Sequence, residues 1–285
     1  LQAVDAMGER ATVEMPWAFA ECWMLGRAPA GKAARGLVGD GFSLQVDGRD
    51  FMVLGMNWDY VPIGENYMYV LWNQPDDVIM EALAREMPLL RDMGVNTIRQ
   101  YADIPPRWVQ YIYETYGITT VLNHTVARYG YTLDGTWIPS VDYSDPRLRE
   151  ALKTEIAALA ERYRDTPGVL MWILGNENNY GLHWTSSEIQ ALPEGERESA
   201  RARYLYSLFS EIAREMKRVD PARPIAIANG DVQYIDIIAE ECDNIDVLGT
   251  NCYRGISARD LFQVVSDKLG APVLFTEFGA DAWNA

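Results

Sequence analysis

Between residues 53 and 277 the chain repeats one pattern: a short apolar run, then a longer stretch with apolar residues at helical spacing. The runs are Val53–Trp58, Val95–Arg99, Ile118–Leu122, Val169–Leu174, Pro224–Ala228, Ile245–Gly249 and Val273–Thr276. Strands apolar on both faces must be covered on both, which alternating helices do for a parallel sheet. The spacing of Ile79, Leu83, Met87 and Leu90 predicts a helix over Pro75–Met93, with Pro88 expected to kink or shorten it. Further helices are predicted at Pro105–Tyr116, stopped by Gly117, and from Asp145-Pro146 through Tyr163. Others carry the stripe Leu205, Leu208, Ile212, Met216 and Val219, and cover Val232–Glu241 and Ser257–Leu269.

Seven strand–helix steps in one direction predict the α/β class and a (β/α)₈ TIM barrel rather than a doubly wound sheet. Gly55-Met-Asn-Trp-Asp follows the first strand where a dinucleotide fold would carry its glycine fingerprint. Strands one to seven are recognisable. Only eight residues follow Glu277 in the 285-residue chain, too few for an eighth strand and its helix. The expectation is a barrel incomplete at its C-terminus, closed by the rest of a longer polypeptide or by a partner. Residues 1–40 read as an N-terminal segment or linker and 41–285 as the barrel domain, whose start, Phe42–Val46 and Phe51–Leu54 around Asp47-Gly48, predicts a hairpin.

With 25 Lys plus Arg against 41 Asp plus Glu, the net charge of −16 argues against nucleic acid and anionic membranes as partners. Three cysteines (Cys22, Cys242, Cys252) and two histidines (His124, His183) have neither disulfide-framework nor metal-ligand spacing. A nucleophilic role for Cys252 would need a nearby base, for which only His124 could serve, so that role is not expected. Nine Trp and 16 Tyr are a heavy aromatic load, suited to packing or to stacking on sugar rings.

Catalytic groups of such barrels stand at the C-terminal ends of the strands. There the sequence places Arg99-Gln100-Tyr101, Asn123-His124, Asn176-Glu177-Asn178-Asn179, Asn229-Gly230-Asp231, Asn251-Cys252-Tyr253 and Glu277. Two carboxylates facing each other from strands four and seven are what glycosidic cleavage requires. One holds a proton for the leaving oxygen, and the other stays ionised through Arg and Tyr hydrogen bonds. Glu177 and Glu277 are therefore the candidate pair.

Trp172-Ile-Leu-Gly-Asn-Glu177 resembles the strand-four acid/base motif of the clan A retaining glycoside hydrolases, and Thr276-Glu277-Phe-Gly279 resembles their strand-seven nucleophile motif. Gly94–Arg99 and Gly55–Trp58 are similar to strands two and one of that clan. The whole is most similar to the family 2 catalytic barrel of β-galactosidases, β-glucuronidases and β-mannosidases, and Gly94–Tyr101 also resembles β-1,3-glucanosyltransferases. The resemblance implies Glu177 as general acid/base, Glu277 as nucleophile and Asn176 as partner of the sugar 2-hydroxyl. It implies that Arg99 and Tyr253 orient Glu277, and that His124 lines the glycone side. The strand-eight Trp usual in the clan, and the sandwich domains that precede a family 2 barrel, have no counterpart in the sequence.

Asn251 is a further substrate-binding candidate. Trp58, Trp137, Tyr180, Trp184 and Trp283 read as stacking subsites; Trp72, Trp108 and Trp172 read as packing, and Asp59 and Asp231 as loop caps or rim hydrogen bonds. The function expected is retaining hydrolysis of a β-linked oligo- or polysaccharide, with no metal or other cofactor. A transglycosylase would use the same two Glu, with acceptor subsites such as Trp184, and a non-catalytic glycan-binding or scaffold barrel is the alternative outside enzymes. The sequence does not fix a compartment, although a glycan substrate favours export.

Overall fold

A computed structural model describes residues 2–4, 10–12, 33–38, 41–47, 49–66, 68–101, 103–255 and 257–279. Cys22 and Trp283 lie outside them. Seven parallel strands form one sheet: β1 (Gly55–Asn57), β2 (Thr97–Tyr101), β3 (Thr119–His124), β4 (Val169–Leu174), β5 (Ile225–Gly230), β6 (Val247–Cys252) and β7 (Val273–Phe278). They are hydrogen-bonded in chain order, each to the next, so β1 and β7 are the two edge strands. No eighth strand stands between them among the described residues. The Asn57 side-chain amide of β1 reaches across to the Thr276 carbonyl of β7 at 3.2 Å.

The connecting helices are α1 (Asp76–Asp92), α2 (Pro106–Tyr116), α3 (Pro146–Tyr163), α4 (Arg197–Val219), α5 (Ile235–Glu241) and α6 (Leu261–Leu269). Gly117 ends α2 in the left-handed conformation, and the Asp145 carboxylate caps α3 by accepting from the Arg147 N–H. Pro88 does not break α1, contrary to expectation. The carbonyl it deprives of a donor belongs to exposed Ala84, where water can replace the lost bond. No helix among the described residues is long and apolar enough to cross a membrane.

The two-residue period of the strands sorts side chains into two cores. Leu122, Trp172, Leu174, Ile225, Ile227 and Leu248 pack outward under the helices. Val121, Met171, Ile173, Ala226, Ala228 and Val247 fill the barrel interior. Leu44 joins the interior group, with Val46, Phe51 and Val53 against it. It comes from a three-stranded antiparallel sheet of Ala33–Val38, Gly41–Val46 and Arg49–Asp50, whose first strand lies in the stretch expected to be an N-terminal segment or linker. The hairpin expected around Asp47 is present, with its second strand at Arg49–Asp50 rather than Phe51–Leu54.

Candidate active site

The strands run further than their hydropathy does. Arg99, Tyr101, His124, Asn229, Asn251 and Glu277 are strand residues, since backbone pairing continues where side chains turn polar at the barrel mouth. On β7 a bulge sets Glu277 opposite Asn251, whereas Phe275 stands opposite Thr250. Leu274 and Glu277 are three positions apart, yet the extra residue lets both face the interior.

After β4 the chain turns sharply through Gly175 (φ 78°) to Glu177, which holds φ 55°. A Cβ at Gly175 would lie 2.7 Å from the Asn178 amide oxygen and 2.8 Å from the Phe209 ring, so only glycine fits. The turn is tied to both neighbouring strands. Gly175 N–H donates to the His124 carbonyl at 2.7 Å and Glu177 N–H to the Ala228 carbonyl at 2.8 Å.

One network spans the mouth. Arg99 Nη1 pairs with Glu277 Oε1 at 3.2 Å, and Tyr253 donates its hydroxyl to Glu277 Oε2 at 2.8 Å. Arg99 also donates through Nη2 to Asn176 Oδ1 at 2.9 Å, through Nε to Asn123 Oδ1 at 2.7 Å, and to the Thr276 carbonyl. Asn251 Nδ2 donates to Glu177 Oε1 at 3.1 Å, while its Oδ1 accepts from Thr276 Oγ1 at 2.6 Å. Both Glu277 oxygens thus meet donors. Loss of hydration, then the bond to Glu277, pushes the Tyr253 phenol up to about 12, so it stays protonated as that donor.

The structure therefore brings together six of the expected residues: Glu177, Glu277, Asn176, Arg99, Tyr253 and Asn251. A family profile for glycosyl hydrolases family 2, TIM barrel domain, matches residues 76–285. The chain belongs to glycosyl hydrolase family 2. Among curated protein sequences, none matches it.

Solved structures similar to this family 2 barrel include β-glucuronidase 2 from Bacteroides uniformis, at 14% identity and TM-score 0.57 over 85% of this chain and 26% of that one. An exo-β-1,4-mannosidase from Opitutaceae bacterium strain TAV5 is 19% identical, with TM-score 0.54 over 82% of this chain and 46% of its own. A β-mannanase from Mytilus edulis is 12% identical, with TM-score 0.54 over 86% and 82% respectively. These likenesses concern the fold. The chain spans about a quarter of the length of the B. uniformis enzyme.

Three expectations for the family 2 site need correcting. His124 does not line the pocket. Asn123 points inward to Arg99, so by strand alternation His124 faces the helices, where Nδ1 accepts from Val126 N–H and Nε2 meets Glu155 of α3 at 3.3 Å. The hydrogen bond from His124 holds the Glu155 carboxyl below its ordinary value despite partial burial. Trp58 is buried against Tyr60 and Trp72 in the helix-side core. Trp184 is 4% exposed, edge-on to Tyr143 and beneath the Arg201 guanidinium, so it offers no face to a sugar. Trp137 and Tyr180 are exposed, and Trp108 and Trp172 are buried packing residues. Asp231 accepts the forked Arg254 guanidinium, a rim hydrogen bond of the kind expected for it. Burial pushes the Cys252 thiol up, away from the nucleophilic thiolate.

Asn123, Arg128 and Tyr129 also belong to the site and were not assigned roles from sequence. Asn123 shares the inward parity of Arg99 and Asn251, a signal available in the sequence; Arg128 and Tyr129 lie in a loop without periodicity and carry none. Arg128 Nε donates to the Glu177 carbonyl at 3.0 Å, and Tyr129 accepts from Asn176 Nδ2 at 2.8 Å.

Proposed function

We propose that this domain hydrolyses a β-linked glycan with net retention, Glu277 acting as nucleophile and Glu177 as acid/base. One observation carries the reading: two glutamates at the ends of β4 and β7 share a hydrogen-bond network in which their surroundings differ. Glu277 is held by a guanidinium and a phenol, both donors to a carboxylate. Among the described residues, Glu177 receives a single neutral amide N–H, from Asn251 through Oε1. Glu277 would attack the anomeric carbon as Glu177 gives its proton to the departing oxygen. Glu177 would then take a proton from the water that breaks the glycosyl–enzyme ester, restoring both groups. The β linkage is supported by the names of the solved structures that share the fold, β-glucuronidase, β-mannosidase and β-mannanase.

Transglycosylation would use the same pair, but Trp184, the aromatic expected to hold an acceptor, is in the core. The experiment is hydrolysis of a panel of aryl β-glycosides, with the first-formed anomer read by proton NMR. A β-anomer from wild type, and loss of at least about a thousandfold in kcat for Glu277→Gln, supports the proposal. An α-anomer would contradict retention, and an unaffected Glu277→Gln would contradict the nucleophile.

A further inference from the structure

The segment following β3 contains two consecutive non-glycine residues at positive φ, Val126 (48°) and Ala127 (57°). For a β-branched residue this is a costly conformation that persists only when its surroundings enforce it. They do so here. Val126 N–H donates to His124 Nδ1 at 3.1 Å, and the Val126 carbonyl accepts from Tyr143 Oη and Asn178 Nδ2, each at 3.0 Å. Asn178 Nδ2 also reaches the Thr125 carbonyl at 3.2 Å, and the Val126 and Ala127 side chains are buried. The turn delivers Arg128 to the Glu177 carbonyl and Tyr129 to the Asn176 amide, so successive residues of one loop grip successive residues of the other.

The Asn176 side chain has its orientation fixed chemically. Its Oδ1 accepts from Arg99 Nη2, which can only donate, so the NH₂ group faces Tyr129. One N–H goes to the Tyr129 hydroxyl, and the other has no partner among the described residues. We propose that Tyr129 is a positioning residue for the glycone: it holds the Asn176 amide so that the second N–H is presented to the sugar hydroxyl beside the anomeric carbon. The proposal rests on the glycosidase reading and on Asn176 as partner of that hydroxyl. Tyr129 is 58% exposed, so removing its oxygen leaves no buried hole.

The test compares wild type with Tyr129→Phe on two substrates: the 4-nitrophenyl β-glycoside that wild type cleaves fastest, and its 2-deoxy counterpart. Loss of one orienting hydrogen bond predicts about a five- to tenfold fall in kcat/KM on the parent glycoside. On the 2-deoxy substrate, which lacks the hydroxyl that Asn176 would meet, the fall should be below about twofold. The thermal midpoint should be unchanged. Equal losses on both substrates, or no loss on the parent, would overturn the role of Tyr129 and leave the glycosidase reading intact. Folded wild type that cleaves no aryl glycoside would overturn both together.

Discussion

Arg99 and Glu277 meet at 3.2 Å across the barrel mouth although 178 residues separate them in sequence. The same guanidinium reaches Asn176, Asn123 and the Thr276 carbonyl, so one side chain sets the spacing between the ends of β2, β3, β4 and β7. At 10% exposure it is shielded enough for these bonds to be strong.

Arg99→Met should therefore damage both activity and stability. Removing the Arg99 donors from Glu277 Oε1 and from the Asn123 and Asn176 oxygens, with Tyr253 still on Glu277 Oε2, should cost about 2 to 3 kcal/mol, given that Glu277 keeps some contact with water. The rate should fall at least about a hundredfold as the nucleophile loses its orientation. Urea denaturation together with steady-state kinetics measures both, and wild-type stability in the variant would contradict the assignment.

Tyr253 gives a pH-dependent prediction. A phenol whose folded-state value is raised stabilises the fold fully below its unfolded value near 10 and stops doing so as pH rises through the folded value. Tyr253 sits at about 12, from lost hydration and the bond to Glu277. Wild type should thus lose more stability than Tyr253→Phe as pH rises from about 10 to about 12. Parallel curves of denaturation midpoint against pH would contradict this.

Trp184 separates core from subsite. Trp184→Ala should cost about 3 to 5 kcal/mol, as for a buried aromatic. Trp184→Phe should cost far less, because the indole N–H it removes has no partner among the described residues. KM in Trp184→Phe should change by less than about twofold. A large KM effect without loss of stability would restore the stacking role that the buried ring denies.

Two glycines without positive φ should respond differently to alanine. A Cβ at Gly249 would meet the Ile227 carbonyl oxygen at 2.1 Å, backbone that cannot yield, so Gly249→Ala should cost about 3 kcal/mol or more. A Cβ at Gly230 would meet the Tyr180 ring at 2.3 Å, and that ring is 48% exposed and free to swing outward. Gly230→Ala should cost about 1 kcal/mol or less, with the effect appearing in kinetics as Tyr180 moves. Thermal unfolding of the pair decides it.

The β/α rhythm was legible because buried parallel strands must be apolar throughout, as Val169–Leu174 is; its predicted and observed bounds coincide. The candidate pair, Glu177 and Glu277, was legible from its position after apolar runs. Orientation was harder to read. His124 looks like a mouth residue by position, but alternation turns it toward α3. Glu277 faces the interior together with Leu274 only because of a bulge that hydropathy does not encode. Trp58 and Trp184 lie in segments with no periodicity to show which side they bury. Tyr129 depends on two residues at positive φ, neither of them glycine, and so left no mark in the sequence.

The central claim is that Glu277 forms the covalent bond to the sugar. Incubation with a panel of 2-fluoro β-glycosides bearing good leaving groups, followed by peptide mass spectrometry, tests it directly. The fluorine slows both formation and breakdown of the glycosyl–enzyme, and the good leaving group speeds formation alone, so the ester accumulates. The account predicts one label, on the peptide containing Glu277, and none in Glu277→Gln. A label on Glu177 or on any other residue would contradict it.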